Sequence, residues 1–325
     1  MDHGTEGNSQ STIVTAPAPP SKPAQPLIKT IFFGPNGIRA GWRFVIFFAI
    51  LQLLTIAVGM GLRLLHVPPS ALHPATLTPS RVIAFDGSTL LLAVIATWIM
   101  AKIERRKLGD YGLPWKSGIT KDSLTGALWG FLGISGTLLS IFALHGFHIT
   151  GLAIHGSTIV ASIAGWSLAF LLVGLSEEFN FRGYAQFTLT TGMGFWPTAL
   201  LLSASFAAVH LDNPGETKFG LLSVVVFGLL FCLFLRRTGN LWWAVGFHAG
   251  WDWGQTFFYG VHDSGLAPYH NLLNSEFFGP TWLTGGTVGP ESSIFCPIAL
   301  GIVALLFSLR YREARYRPGA APARS

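Results

Sequence analysis

The stretch Ala164–Arg182, AGWSLAFLLVGLSEEFNFR, joins an apolar run directly to a cluster of ionisable residues. The apolar part has the composition of a membrane helix, and a helical pattern resumes after the cluster. A charged side chain inside a membrane span costs about 2.5–3.5 kcal/mol on insertion scales, so residues of this kind indicate a functional site. The stretch therefore predicts a membrane helix and a site on it.

The composition of the whole chain supports a membrane protein. Of the 325 residues, 50% are hydrophobic and only 11% are charged, against about 25% charged residues in soluble globular domains. The mean hydropathy of +0.49 argues against a disordered chain and, despite a pI near 9.5, against a nucleic-acid-binding domain. Cys232 and Cys296 lie in apolar runs, so no disulfide framework or cysteine-based zinc site is expected. The lipid bilayer is the expected partner.

The number of membrane helices follows from the apolar segments. A bilayer core about 30 Å thick needs about 20 apolar residues per helix. The candidate segments are 41–65, 87–103, 124–144, 158–190, 195–211, 219–235, 240–260 and 292–310. The predicted fold class is all-α, a polytopic membrane helix bundle of about eight transmembrane helices.

The positive charges orient this bundle. With the N-terminus in the cytoplasm, 18 of the 21 Lys and Arg residues fall on the inner side, leaving only Arg63, Arg81 and Lys218 outside. Both termini are therefore expected to be cytoplasmic. We predict a disordered tail over the Pro-rich residues 1–38, the helix bundle over 39–310 and a basic tail over 311–325.

Two further patterns have an ordinary structural interpretation. Gly126, Gly130, Gly133 and Gly136 share a helix at spacings that let helices approach closely, and bundle packing is favoured over a dimerisation face. The outer-loop histidines have no carboxylate or cysteine companion, so no metal site is expected there; they are His145, His148 and His155.

The first ionisable cluster lies within the opening stretch. Glu178 and Arg182 are four residues apart, share a helix face and can pair, whereas Glu177 is rotated by about 100° and faces elsewhere. The alternative is a helix that ends at Glu177, with a salt bridge at the membrane interface.

The second and third ionisable clusters each contain a histidine, His210 and His248. If the fourth and fifth segments form a hairpin around Gly192–Gly194, Glu177 and His210 lie at similar depth; the alternative is an interfacial histidine with satisfied hydrogen bonds. In the seventh segment His248 and Asp252 share one helix face, and Gly246 and Gly250 are expected to leave room beside them. A purely structural His–Asp pair is the alternative there.

Together these residues predict a hydrolytic site. A carboxylate beside a histidine can activate water as a general base, and a second histidine can stabilise the oxyanion or protonate the leaving amine. Burial supplies the low dielectric that this chemistry exploits. The candidate catalytic residues are Glu177, Glu178, Arg182, His210, His248 and Asp252.

The three motifs resemble those of a known family. Glu177-Glu178-x-x-x-Arg182, Phe206-x-x-x-His210 and His248-x-x-x-Asp252 are similar, in this order, to the motifs of the CAAX-protease and bacteriocin-processing (CPBP, or Abi) intramembrane endopeptidases. The resemblance covers roughly residues 35–310. The stretches Leu108–Leu113 and Gly285–Glu291 are also similar to bacterial members of the family.

The resemblance implies a role for each site residue. Glu177 would activate the water with help from His210, Glu178 and Arg182 would brace the first motif, and His248 and Asp252 would stabilise the tetrahedral intermediate. The eukaryotic-type members have Asn where this chain has Asp252. Because an ionised Asp can only accept hydrogen bonds, Asp252 must be protonated, orient His248 by accepting its ring N–H, or help to hold a metal.

The cofactor remains open at this point. His210, His248 and Glu177 could hold a catalytic Zn²⁺, and the family is often described as metalloproteases. However, no His-Glu-x-x-His motif is present, and metal-free activation of water by glutamate is favoured.

The resulting hypothesis is an intramembrane endopeptidase in a bacterial cytoplasmic membrane. Its substrate would be a membrane-associated protein or peptide, and no nucleic acid is expected as a partner. The alternatives are a proton-coupled transporter that uses the same buried residues and a non-catalytic membrane scaffold. The first half of the chain shows no counterpart of the 177–182 cluster, which argues against the transporter.

Overall fold

Helices form most of the regular structure in the computed structural model, which describes residues 1–2, 27–35, 37–68, 76–114 and 121–317. The chain divides into two units, Met1–Arg39 and Ala40–Ser325.

The first unit contains a short helix and a hairpin. Helix α1 (Leu27–Phe32) leads into strands β1 (Phe33–Gly34) and β2 (Gly37–Ile38), which pair antiparallel. Gly37 has a φ of 92°, which a glycine adopts without strain in the tight turn. This helix and hairpin lie in the last part of the predicted disordered tail, which stays a prediction; the Pro-rich part of that tail lies outside the described residues.

The second unit is a bundle of helices with small strands between them. Its helices are α2 (Ala40–Leu64), α3 (Pro79–Ile103), α4 (Lys121–Ala143), α5 (Ser157–Arg182), α6 (Tyr184–Met193), α7 (Phe195–Val209), α8 (Lys218–Thr238), α9 (Trp242–Asp252), α10 (Thr281–Thr284) and α11 (Phe295–Arg310). A π-helical stretch, Trp253–Phe258, extends α9.

The predicted fold class is confirmed, because each of the eight predicted segments coincides with a helix. Within the described residues, five helical stretches are long and apolar enough to cross a membrane, namely α2, α3, α4, α8 and the α5–α6 pair; α7 and α11 are shorter apolar helices. The chain is thus a polytopic helical membrane protein. The predicted location of its termini stays a prediction.

Short strands pair with one another in the segments that connect the helices. Strand β3 (Thr76–Leu77) pairs parallel with β5 (Ala267–Pro268), and β4 (Phe147–Leu152) pairs antiparallel with β6 (Leu273–Phe277). His148 lies opposite Glu276 in the second pair. The outer-loop histidines join no group of potential metal ligands among the residues that the structure describes.

The closest helix packing in the bundle is between α4 and α9. A Cβ on Gly126 would lie 2.3 Å from the carbonyl oxygen of Trp243, and one on Gly130 would lie 2.0 Å from that of Phe247. From the other side, Cβ atoms on Gly246 and Gly250 would lie 2.0 Å from carbonyl oxygens of α4. The glycine stripe of α4 therefore packs inside the bundle, and Gly246 and Gly250 face α4 instead of leaving room beside the polar pair as expected.

The C-terminal segment packs back onto the bundle. The backbone amides of Arg315 and Tyr316 donate to the Arg236 carbonyl at 3.0 and 3.1 Å. The Tyr316 ring is buried, with its centroid 4.8 Å from those of Phe187 and Phe195. An aromatic side chain therefore anchors residues 311–317 of the predicted basic tail on the bundle, and the rest of that tail lies outside the described residues.

The α4–α9 contact predicts a difference between two alanine substitutions on the same helix. Gly130→Ala should lower the free energy of unfolding by about 1–3 kcal/mol, because the new methyl group would overlap the Phe247 carbonyl. Gly136→Ala is the matched control, since a Cβ there meets no atom within 4 Å. Thermal unfolding in detergent measures both, and equal melting temperatures for the two variants would contradict this packing.

Candidate active site

The first motif lies on one uninterrupted helix. Helix α5 continues through Glu177 and Glu178 to Arg182, so the alternative of a helix ending at Glu177 is wrong. The helix breaks at Gly183, where a Cβ would lie 2.3 Å from the carbonyl oxygen of Phe179. Because only glycine tolerates this approach, the break falls directly after the last residue of the motif.

Glu178 and Arg182 form an ion pair in the interior, as their spacing predicts. Nη1 of Arg182 donates to Oε1 of Glu178 at 3.3 Å, and both side chains are 0% exposed. The guanidinium lies over the rings of Phe206 and Phe231, at 4.4 and 5.3 Å from their centroids. Gly228 provides the space, because a Cβ there would lie 2.7 Å from Nη2 of Arg182.

His248 contacts three carboxylates. Its Nδ1 lies 3.1 Å from Oε1 of Glu178, and its Nε2 lies 3.6 Å from both Oε2 of Glu177 and Oδ2 of Asp252. An ionised Glu178 accepts only, so Nδ1 carries a proton and donates it. The ring is therefore oriented by Glu178. Of the three alternatives for Asp252, the one in which it accepts the orienting hydrogen bond does not fit, because 3.6 Å is longer than a hydrogen bond.

His210 follows the C-terminal end of α7, and the Phe206 ring lies near both His210 and His248, with centroids 4.7 and 6.4 Å away. Nδ1 of His210 is 2.7 Å from the carbonyl oxygen of Phe206, and its ring packs edge-on against the Phe206 ring. Since a carbonyl oxygen only accepts, Nδ1 donates and Nε2 keeps a lone pair in the neutral ring. Within the described chain, no hydrogen bond or ion pair joins His210 to Glu177 or His248. The turn between α6 and α7 lies at Gly194, within the predicted hairpin turn.

Three acidic residues near the site were missed from the sequence. Asp86 is buried on α3, where the hydroxyl of its neighbour Thr89 lies 2.6 Å from the Ser176 hydroxyl beside Glu177. The predicted second segment starts at residue 87 and leaves Asp86 outside; an acidic residue shortly before an apolar run is the signal that could have found it. The others, Asp263 and Glu291, lie in connecting segments, and Glu291 ends the second of the two accessory stretches that resemble bacterial members.

Asp252 belongs to a second group formed with these residues. One carboxylate oxygen from each of Asp252, Asp263 and Glu291 lies within 4.8 Å of the others, and Thr256 donates to Asp263 at 2.7 Å. Burial raises the pKa of the Asp263 and Glu291 carboxyls above their usual range. Three such groups can share protons or hold a hard cation through oxygen ligands.

The predicted zinc ligands do not form a comparable group. In the part of the chain that the structure describes, the Asp252 group is the only set of at least three His, Cys, Asp or Glu residues with mutually close ligand atoms. Glu177 and His248 are adjacent, but His210 does not complete a set with them. Oxygen ligands alone suit calcium or magnesium better than a catalytic zinc.

Fold and site together define a class, namely helical membrane proteins that bury carboxylates, an imidazole and a guanidinium in one place. The family model of the Rce1-like type II CAAX prenyl endopeptidases matches residues 159–254. This range contains all six predicted site residues, and the match confirms the resemblance to the CPBP family over this segment. It supports intramembrane protease activity in general. None of the curated proteins matched the chain.

The buried ion pair predicts that removing one partner destabilises the protein more than removing both. Arg182→Met should lower the free energy of unfolding by about 3–5 kcal/mol, because the buried Glu178 would lose its guanidinium counter-ion and keep only the hydrogen bond from His248. The double variant Glu178→Leu/Arg182→Met should regain most of this loss, since no uncompensated charge remains. Thermal unfolding in detergent compares the three proteins. A double variant no more stable than Arg182→Met would show that the pair is not the cause.

Proposed function

We propose that the chain is an intramembrane endopeptidase that hydrolyses a peptide bond of a membrane-associated protein or peptide. The observation that carries this proposal is the contrast between two adjacent carboxylates. Glu178 is fully buried and paired, whereas Glu177 is 31% exposed and faces Nε2 of His248 at 3.6 Å. A carboxylate that is accessible beside an oriented imidazole is suited to activate water.

In the proposed reaction, Glu177 takes a proton from a water molecule that attacks the scissile carbonyl. His210 assists from the neighbouring helix, because its Nε2 lone pair remains free to accept a hydrogen bond from the water. The carbonyl oxygen becomes an oxyanion, and the proton held by Glu177 passes to the leaving amine.

His248 and Asp252 are proposed to stabilise that oxyanion. A protonated His248 donates from Nε2, while the hydrogen bond from Nδ1 to Glu178 keeps the ring in place. An Asp252 carboxyl that retains its proton can donate as the amide of Asn does. The proximity of Asp263 and Glu291 supports this, because three close carboxylates cannot all ionise in a buried site.

The proposed substrate class is broad. The matched family is named for CAAX prenyl endopeptidases, and the class proposed for this chain is the broader one of membrane-associated proteins and peptides. The distribution of Lys and Arg supports an orientation with both termini inside. The proposed membrane is the bacterial cytoplasmic membrane, because the stretches Leu108–Leu113 and Gly285–Glu291 are similar to bacterial members of the family.

Hydrolysis tests the assignment of the general base. Membrane peptides from cells that produce wild-type or Glu177→Gln protein, compared by mass spectrometry, should show products specific to the wild type. Purified wild-type protein in liposomes should then cleave those substrates. Glu177→Gln and His210→Ala should each lower kcat by about 10²–10⁴-fold, because a group that moves or orients the proton is lost.

The control for this experiment is Glu276→Gln, which changes an exposed carboxylate on β6 and should leave kcat as in the wild type. Unchanged hydrolysis in Glu177→Gln and His210→Ala would refute the mechanism. A wild type that cleaves no membrane peptide but transports protons or solutes would favour the transporter, and one with neither activity would favour the scaffold.

Metal analysis tests the proposal that Glu177 activates water without zinc. Purified wild-type protein and His210→Ala should both lack stoichiometric zinc, because His210 does not complete a group of close ligand atoms with His248 and Glu177. Stoichiometric zinc in the wild type that is absent from His210→Ala would instead assign a metal to the site.

A further inference from the structure

The stretch Leu108–Leu113, LGDYGL, has no role in the chemistry proposed above, yet it contacts α6, which follows the first motif, and the start of α9, which carries the third. It follows α3 and contains a single 3₁₀ turn, Leu108–Tyr111. The turn is held locally, since the Lys107 amide donates to Asp110 at 3.0 Å and the Arg106 guanidinium lies 4.8 Å from the Tyr111 ring centroid. The stretch is therefore an ordered connection.

The first contact is made through Glu104. This residue caps the C-terminal end of α3, and its side chain is only 9% exposed. Its carboxylate accepts hydrogen bonds from the Tyr111 hydroxyl at 2.9 Å, from Arg43 of α2 at 3.3 Å, and from the Tyr184 hydroxyl. These donors satisfy both oxygens of the carboxylate. Glu104 therefore links three parts of the chain that are far apart in sequence, namely α2, the 3₁₀ turn and α6.

Tyr184 links this carboxylate to the first motif. It is the first residue of α6, after the break at Gly183, and therefore lies two residues after Arg182. Its ring is fully buried and lies 4.6 Å from the Phe47 ring and 5.0 Å from the Tyr111 ring, centroid to centroid. The contacts of Tyr184 thus fix the backbone two residues after Arg182, whose guanidinium pairs with Glu178.

The second contact is with the start of α9. The backbone carbonyl of Gly112 accepts from the Leu241 amide at 2.8 Å, and that of Pro114 accepts from the Trp242 indole at 3.2 Å. Gly112 has a φ of 98°, and a Cβ there would lie 2.8 Å from Cγ of Leu241. Only glycine permits this approach, and the helix that begins here carries His248.

We propose that Glu104 is a positioning residue that, together with Leu108–Leu113, holds the α5–α6 break and the start of α9 in a fixed relation. That relation places Glu178 within hydrogen-bond distance of Nδ1 of His248. The inference rests on the proposed function for its effect on hydrolysis, but the structural coupling that it states can be measured without any hydrolysis.

The kinetic test uses purified full-length variants in liposomes with a cleaved substrate. Glu104→Gln and Tyr184→Phe should each lower kcat by about 10–100-fold with KM within about twofold, because a displaced site slows the chemical step more than substrate binding. The double variant should be no worse than the more affected single variant, since both substitutions break one link. Tyr269→Phe, at an exposed tyrosine, is the control and should match the wild type.

Hydrogen–deuterium exchange supplies the second measurement. In Glu104→Gln the backbone amides of residues 176–184 and 241–248 should exchange about tenfold faster, while α11 keeps its wild-type rate. Wild-type exchange at both stretches, or a uniform increase along the chain with kcat unchanged, would overturn the inference. If the wild type hydrolyses nothing, the proposed function fails and exchange alone decides the inference: selective acceleration at both stretches supports it, and any other pattern overturns it.

Discussion

The close approach of the α9 backbone to its neighbours is the constraint on which the rest of the structure depends. α9 carries His248 and Asp252, and it is held between α4 and α5 by contacts that only glycines permit. On the α5 side, a Cβ on Gly174 would lie 2.7 Å from the carbonyl oxygen of Val245. Because the carboxylates of the first motif extend from α5, the separation of these two helices sets the distance between Glu178 and the imidazole.

One part of the site is fully buried, and the other is partly exposed. Arg182 and Glu178 lie under aromatic rings with no exposed surface, so their charges interact in a low dielectric and hold a fixed geometry. Glu177 extends from the same helix with 31% of its side chain exposed. Adjacent residues of one helix thus supply both the rigid support and the reactive group, because successive side chains are rotated by about 100°.

Local features could be predicted from the sequence, and features set by long-range contacts could not. The helical segments and the Glu178–Arg182 pair follow from apolar composition and from i,i+4 geometry, which lie within one element. The orientation of His248 by Glu178 depends on how α5 packs against α9. Likewise, Asp263 and Glu291 reach Asp252 only because connecting segments fold back over the end of that helix.

The anchored C-terminal segment has a consequence for the order in which the protein can mature. Phe187 and Phe195 lie on helices that are synthesised well before Tyr316, the side chain that covers them. Until translation has passed that tyrosine, these rings have no permanent neighbour on this side, and the segment after the α5–α6 break lacks part of its support. The packing around these two rings is therefore completed only after the C-terminal segment has been synthesised.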